Sequence, residues 1–177
     1  MLNSIDMTYT SSFGYAFALE ESEQGVDVRL VPKRFEPPFE RAYDWDWREV
    51  EDFVANVRAG RVWMAVSPQG QPVGLIELRE SAWNASFWVQ SLFVDRNHRH
   101  CGVGSRLIQT ALAHARTQGA RALFVETQLS NGPAIRFYRG QDFRICGFND
   151  HLYSNSDLQH DEVALFLVYP LDSTIAP

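Results

Sequence analysis

The run Arg99-His100-Cys101-Gly102-Val103-Gly104 joins an apolar stretch, Phe87-Trp88-Val89-Gln90-Ser91-Leu92-Phe93-Val94, to a helix-periodic one, Ser105-Arg106-Leu107-Ile108-Gln109-Thr110-Ala111-Leu112-Ala113-His114-Ala115-Arg116. Glycines at such a junction let the backbone come within hydrogen-bonding distance of a ligand, because no Cβ blocks the approach. The first-turn N–H groups of the helix have no partner within it, and they sit at the positive end of its dipole. A strand, an R-x-x-G-x-G turn and a helix in that order predict a cradle for a phosphate or pyrophosphate, and so a diphosphate-bearing ligand.

The pattern extends in both directions. Upstream, Val62 to Val66 and Pro72 to Arg79 flank Ser67-Pro68-Gln69-Gly70-Gln71, a hairpin signal. Before that, Val50, Phe53, Val54 and Val57 recur at helical spacing within a helix expected from Trp47 to Arg58 and ended by Gly60. Phe13 to Leu19 and Val26 to Val31 read as strands about a polar turn, with Pro32, Pro37 and Pro38 expected to break regular structure. Residues 1–12 read as a loosely ordered leader. Downstream, the helix presents Leu107, Ile108, Ala111, Leu112 and Ala115 inward and is closed by Gly119. Ala122 to Gln128 is a short apolar strand. Asn131 can cap a second helix with Pro133 in its first turn, and Phe143 to Phe148 and Glu162 to Val168 form a last strand pair. With no internal repeat or linker, residues 13–172 are expected to form a single α/β domain.

The chain has 177 residues, enough to bury a sizeable core. Its 16 basic against 22 acidic residues argue against capture of nucleic acid by bulk charge and suit a cationic small substrate better. No apolar run is long enough to span a membrane, and the polar start lacks a secretory pattern, so no membrane partner and a cytoplasmic location are expected. The cysteines, Cys101 and Cys146, provide no disulfide framework, and the five histidines include no helical H-x-x-x-H pair; no metal is expected.

Taken with the later segment Asn131-x-x-Ala134-x-x-Phe137-Tyr138, the R-x-x-G-x-G turn resembles the GNAT superfamily of N-acetyltransferases, which bind acetyl-CoA. The two motifs are correctly ordered with a strand between them, and the likeness covers about Ala82 to Phe148. It implies the GNAT fold: α/β, with a central mixed, mostly antiparallel sheet, a splayed strand pair and flanking helices. A closer likeness, carried by Trp83-Asn84, Val125-Glu126-Thr127-Gln128, Gly147-Phe148-Asn149-Asp150, Leu152-Tyr153 and Asp161-Glu162-Val163-Ala164, is to streptothricin acetyltransferases. Those enzymes acetylate an amino group on the β-lysine part of the antibiotic. Two positions depart from the pattern. Gln90-Ser91 stands where those enzymes carry a Glu-Asp pair, and Gln cannot act as a general base. Asp142 stands where a glycine usually follows the Phe-Tyr helix.

The resemblance implies direct transfer of an acetyl group from a thioester to an amine, without a covalent acyl-enzyme. Backbone groups of Leu92, Phe93 and Val94 would pair with the pantetheine arm like an added strand. The pyrophosphate would lie over Arg99, His100, Cys101, Gly102, Val103, Gly104 and Ser105, with Arg99 and Arg106 as candidate charges. Asn131 would cap its helix or touch the pantetheine.

Tyr138 is the candidate acid for the departing thiolate, which also puts it against the cofactor; a phenol's pKa of about 10 is close to an alkyl thiol's. The alternative is a core aromatic with a structural hydroxyl bond. Glu126 is the candidate base, acting through water, or else a carboxylate that pairs structurally; Glu77 is the reserve. Cys101 has no activating base beyond His98 and His100 and reads as incidental. Tyr43, Trp45 and Trp47 with Asp44, Asp46 and Glu49 suit one wall of a pocket for a cationic amine, or else a helix start. The loop Asn149 to Asp161, with His151 and Tyr153, is a second wall.

The reading is therefore an acetyl-CoA-dependent N-acetyltransferase for a small-molecule primary amine, with a streptothricin-like antibiotic as one candidate acceptor. Acetylation of a protein N-terminus or lysine, and a non-catalytic acetyl-CoA sensor, are the alternatives. Family habit suggests a homodimer.

Overall fold

The computed structural model describes residues 5–43, 50–160 and 162–171. Its elements are β1 (Tyr9–Ser22), β2 (Gly25–Arg41), α1 (Val50–Arg58), β3 (Val62–Val66), β4 (Pro72–Ser81), β5 (Ser86–Val94), α2 (Val103–Thr117), β6 (Ala122–Gln128), α3 (Gly132–Arg139), β7 (Arg144–Asn149), α4 (Asp157–His160) and β8 (Ala164–Pro170). Strands β1 and β2 form a two-stranded sheet, and the others form a six-stranded one in the order β3-β4-β5-β6-β8-β7. The β3–β4 and β4–β5 pairs are antiparallel and β5–β6 is parallel, giving the mixed α/β sheet expected.

By compactness the chain divides into two units, with β6 and β8 each contributing to both. The first comprises Met1–Tyr9, Ala42–Val125 and the chain from Val168. Its core is where the apolar periodicity predicts it. Leu107, Ile108, Ala111, Leu112 and Ala115 form the buried face of α2, and α2 packs on β4 and β5. Pro72 to Leu78 of β4 are buried throughout, as befits a central strand, with Leu75, Ile76 and Leu78 fully so. Each such side chain contributes about 1.5–3 kcal/mol by leaving water. Gly74 lets α2 pack close to β4, since a Cβ there would stand a tight 3.1 Å from Val103 Cγ1 and 3.2 Å from Leu107 Cδ1.

The β4–β5 ladder steps from Glu77↔Ser91 to Leu78↔Val89, leaving Gln90 as the extra residue of a β-bulge. The parallel ladder with β6 joins Ser86–Val89 to Ala122–Val125 and ends there. Past Val89, β5 therefore pairs on its β4 side, which is the splay the fold class implies.

Two expectations are corrected by the structure. On α1 the valines stay outside, with Val50, Val54 and Val57 exposed and Phe53 half-buried, and the buried residue is Asn56. A specific polar bond to β4 (below) draws that face in, overriding the hydrophobic spacing. Residues 44–49, including Trp45, Trp47, Asp44, Asp46 and Glu49, lie outside the described residues. Second, β2 continues through Pro32, Pro37 and Pro38 to Arg41 instead of breaking. In a two-stranded sheet each strand has an unpaired edge, where a missing proline N–H costs no ladder bond. Within the stretch expected as a leader, Ile5 and Ser11 are buried, and Asp6 N–H donates to Asp95 Oδ2 at 3.1 Å.

The second unit comprises Thr10–Arg41 and Glu126–Leu167. Here β1 lies close against the β6–α3 junction. Tyr15 N–H donates to the Leu129 carbonyl at 3.0 Å, and the Arg136 guanidinium stands 4.2 Å over the Phe13 ring.

Candidate active site

In the first unit, the chain leaves β5 at Val94, makes a short 3-10 turn over Arg96–His98 and enters α2 through Gly102. Gly102 adopts φ 81°, a left-handed conformation natural to glycine, and a Cβ there would meet nothing within 4 Å. With no side chain to offer, Gly102 leaves the helix start without side-chain capping. That is the form an anion cradle takes. His100 shares the positive φ, at 61°. Arg99 braces the turn: its Nε donates to the Val94 carbonyl at 3.0 Å and Nη2 to the Asp6 carbonyl at 3.3 Å. Cys101 is exposed and free, and Ser105 is half-buried in the first turn of α2. Leu92, Phe93 and Val94 pair with Ile76, Leu75 and Gly74 of β4, beyond the point where the β6 ladder ends. Turn and strand edge together present an anion cradle beside a backbone edge, the features that would hold a pyrophosphate and an amide-bearing arm.

The same unit contains the reserve carboxylate. Glu77 is 3% exposed. Asn56 Nδ2 donates to its Oε1 at 2.8 Å, and Ser91 Oγ donates to its Oε2 at 3.1 Å. Gln90 instead points to the exposed side, where its Oε1 accepts from Arg79 Nε at 3.1 Å.

In the second unit, Glu126 faces out of the alternating β6 pattern and is half-buried. Tyr153 donates its phenolic hydrogen to Glu126 Oε1. Burial raises the Glu126 carboxyl above its ordinary range, and the Tyr153 hydrogen bond offsets part of the rise. Tyr153 is held by its loop: its N–H donates to Asp157 Oδ2 at 2.9 Å, and Ser154 Oγ donates to Asp157 Oδ1 at 2.7 Å. Asn131 caps α3 as expected, its side chain accepting from Ala134 N–H at 3.1 Å. Tyr138, 7% exposed, lies on the buried face of α3.

An open groove of about 710 Å³ runs along Ser12–Tyr15 and Pro32–Pro38 beside Arg136. Lys33, Arg34 and Arg136 outnumber Glu36 in its lining, so its charge opposes a cationic ligand. Among the described residues no group of three His, Cys, Asp or Glu converges to hold a metal ion, and no helix is long and apolar enough to cross a membrane.

A family model, the acetyltransferase (GNAT) family, matches residues 27–143. The chain belongs to the GNAT family of acetyltransferases. Over 171 residues, 96% of this chain and 88% of the relative, it is 30% identical to the streptothricin acetyltransferase of Streptomyces lavendulae. Its backbone is similar to that of a nourseothricin acetyltransferase, with TM-score 0.73 and 26% identity over 96% of this chain and 90% of the other. It is also similar to a Bacillus anthracis structure assigned to the streptothricin acetyltransferases and solved with acetyl coenzyme A. There the TM-score is 0.74 and the identity 25%, over 95% of this chain and 88% of the other.

As a GNAT acetyltransferase the chain departs from the expected site in two ways. Tyr153, read from sequence only as a pocket wall, is hydrogen-bonded to Glu126. Glu77, a reserve in the sequence reading, is tied to Ser91 across the ladder and to Asn56 on α1. The apolar spacing of α1 placed Asn56 off the expected inward face, so only its burial in the structure reveals the polar partner it needs.

Proposed function

We propose that this protein transfers an acetyl group from acetyl-CoA to a primary amine of a small cationic antibiotic of the streptothricin class. The observation that carries the reading is likeness to a streptothricin acetyltransferase along nearly the whole chain, not over the donor-binding motif alone. Relatives named for peptidyl-lysine acetylation align over less of it.

When bound, acetyl-CoA supplies the activated acetyl thioester. The bulge at Gln90 and the end of the β6 ladder at Val89 support pairing of its pantetheine with Leu92, Phe93 and Val94. Gly102 and the uncapped first turn of α2 support a pyrophosphate over Arg99 to Ser105. Arg99 then acts mainly as the brace of this turn, with its remaining N–H groups available to the anion.

An alkylammonium must lose a proton before its nitrogen can attack. In this reading Glu126 takes that proton, directly or through water, and its raised pKa brings it closer to the amine it serves. Tyr138 gives its phenolic proton to the departing thiolate. Asn131 caps α3, so it positions Tyr138 rather than reacting.

Thiol release from acetyl-CoA across a panel of nourseothricin, polyamines, lysine and peptides tests the proposal. Turnover with the antibiotic is the expected result. Peptide-only turnover would overturn the small-amine acceptor, and tight acetyl-CoA binding without any turnover would make the protein a sensor.

A further inference from the structure

Among the described residues, Glu77 is a buried carboxylate with no cation hydrogen-bonded to it. Its hydrogen-bond partners are the Asn56 amide and the Ser91 hydroxyl, both neutral. Arg79, two residues along β4, and Arg61, next to the β3 ladder partner Val62, are engaged elsewhere, Arg61 with Glu80 and Arg79 with Gln90. Taking a carboxylate out of water costs more than two neutral hydrogen bonds return, and an apolar residue there would hold the sheet at least as well. A buried carboxylate whose hydrogen-bond partners are both neutral therefore points to a cation that arrives with a ligand.

Its surroundings indicate where that cation would sit. Ser91 is half-exposed and directly opposite Glu77 in the β4–β5 ladder, next to the bulge at Gln90. The edge that follows, Leu92 to Val94, is the one proposed to pair with pantetheine. An arm whose pyrophosphate lies over Arg99 to Ser105 runs back along β5 from Val94 toward Leu92, so its thioester end approaches Ser91. The hydroxyl of Ser91 commits its hydrogen to Glu77, which leaves its lone pairs to accept from an N–H. The carboxylate behind it polarises that hydroxyl, and a buried charge is screened far less than a surface one.

The geometry points to Glu77 as a positioning residue that, through the Ser91 hydroxyl, anchors a cationic nitrogen of the acceptor. No bond is made or broken in this role; it supplies binding and specificity for ammonium-bearing acceptors. It rests on the proposed reading that the acceptor is a cationic amine.

The test is steady-state kinetics of Glu77→Gln, Ser91→Ala and the double variant, with nourseothricin and acetyl-CoA varied in turn. Each single variant is expected to raise the KM for nourseothricin about ten- to a hundredfold with kcat nearly kept, since a charge-assisted hydrogen bond present equally in ground and transition states is lost. The KM for acetyl-CoA stays within about twofold. The double variant matches the worse single one, because both act through one chain of bonds. An unchanged nourseothricin KM overturns the inference. So does a parallel rise in both KM values with a fallen Tm, the mark of a merely structural tie. Should Glu77→Gln fail to fold, Ser91→Ala removes one half-exposed hydroxyl and decides the matter alone. If the parent enzyme does not acetylate nourseothricin, the substrate reading fails separately, and the comparison is made with whichever cationic amine it does acetylate.

Discussion

Phe143 donates its backbone N–H to the Tyr138 carbonyl at 3.1 Å and sets its ring edge-on against the Tyr138 ring, with centroids 5.6 Å apart. Asp142 N–H donates to the Arg139 carbonyl at 3.2 Å, which completes a Schellman ending to α3. The aromatic contact is the hydrophobic pair that accompanies this motif. The proposed acid is thus fixed from its own helix end: a displacement of Phe143 or of the turn at Asp142 moves Tyr138.

Asp142 occupies the left-handed position of that ending, with φ 66°. The turn is therefore kept where a glycine is usual, and Asp tolerates the conformation better than most residues. Asp142→Ala is expected to be less stable than Asp142→Gly by about 1 kcal/mol in urea unfolding. Equal stabilities would show that the turn relaxes into another conformation.

Tyr138→Phe removes one hydroxyl while keeping the ring packed on Phe143. Its kcat should fall about a hundredfold, with acetyl-CoA affinity and Tm close to the parent's. Calorimetric titration with acetyl-CoA beside the rate assay separates loss of the acid from loss of binding; an unchanged kcat removes Tyr138 from the mechanism.

The Glu126 carboxyl is raised mainly by burial, and the Tyr153 hydrogen bond opposes the rise. A base must be deprotonated, so activity should fall on the acid side at a pH above the usual carboxylate range. Tyr153→Phe removes the lowering contribution and should move that acid limb to higher pH. Glu126→Gln should abolish the limb and reduce kcat about a hundredfold. The linkage to stability has the opposite sense to an ordinary salt-bridged carboxylate. Because the folded form holds its proton more tightly, Glu126 favours folding below the unfolded pKa and loses that contribution as pH rises through the folded one.

Gly102→Ala forces a side chain into φ 81°, at a cost of about 1–2 kcal/mol. The Cβ itself meets no protein atom. A loss of acetyl-CoA affinity larger than the loss of stability would therefore report the ligand's close approach. Differential scanning calorimetry with and without acetyl-CoA measures both.

Much of the fold is legible in the sequence, and the gaps have physical causes. Strand β3 follows from the turn signal after it, and β6 and the inward face of α2 follow from period, because their inward side chains are buried in the core. The Asn131 cap follows from residue type. Strand β2 runs past its expected end because proline breaks an interior strand but not an edge. Helix α1 turns a different face inward because one Asn–Glu hydrogen bond sets it. Tyr153 and Glu126 are far apart in the chain, and no local pattern could pair them. The proposed site residues legible in the sequence, Gly102 and Tyr138, belong to motifs with local spacing, whereas the Glu77–Ser91 pair depends on strand register.

The most direct test is mass spectrometry of nourseothricin after incubation with the protein and acetyl-CoA. The predicted result is one added acetyl group, located by fragmentation on an amine of the β-lysine portion. An unmodified antibiotic, with the acetyl group found on a peptide amine in the same mixture, would contradict it.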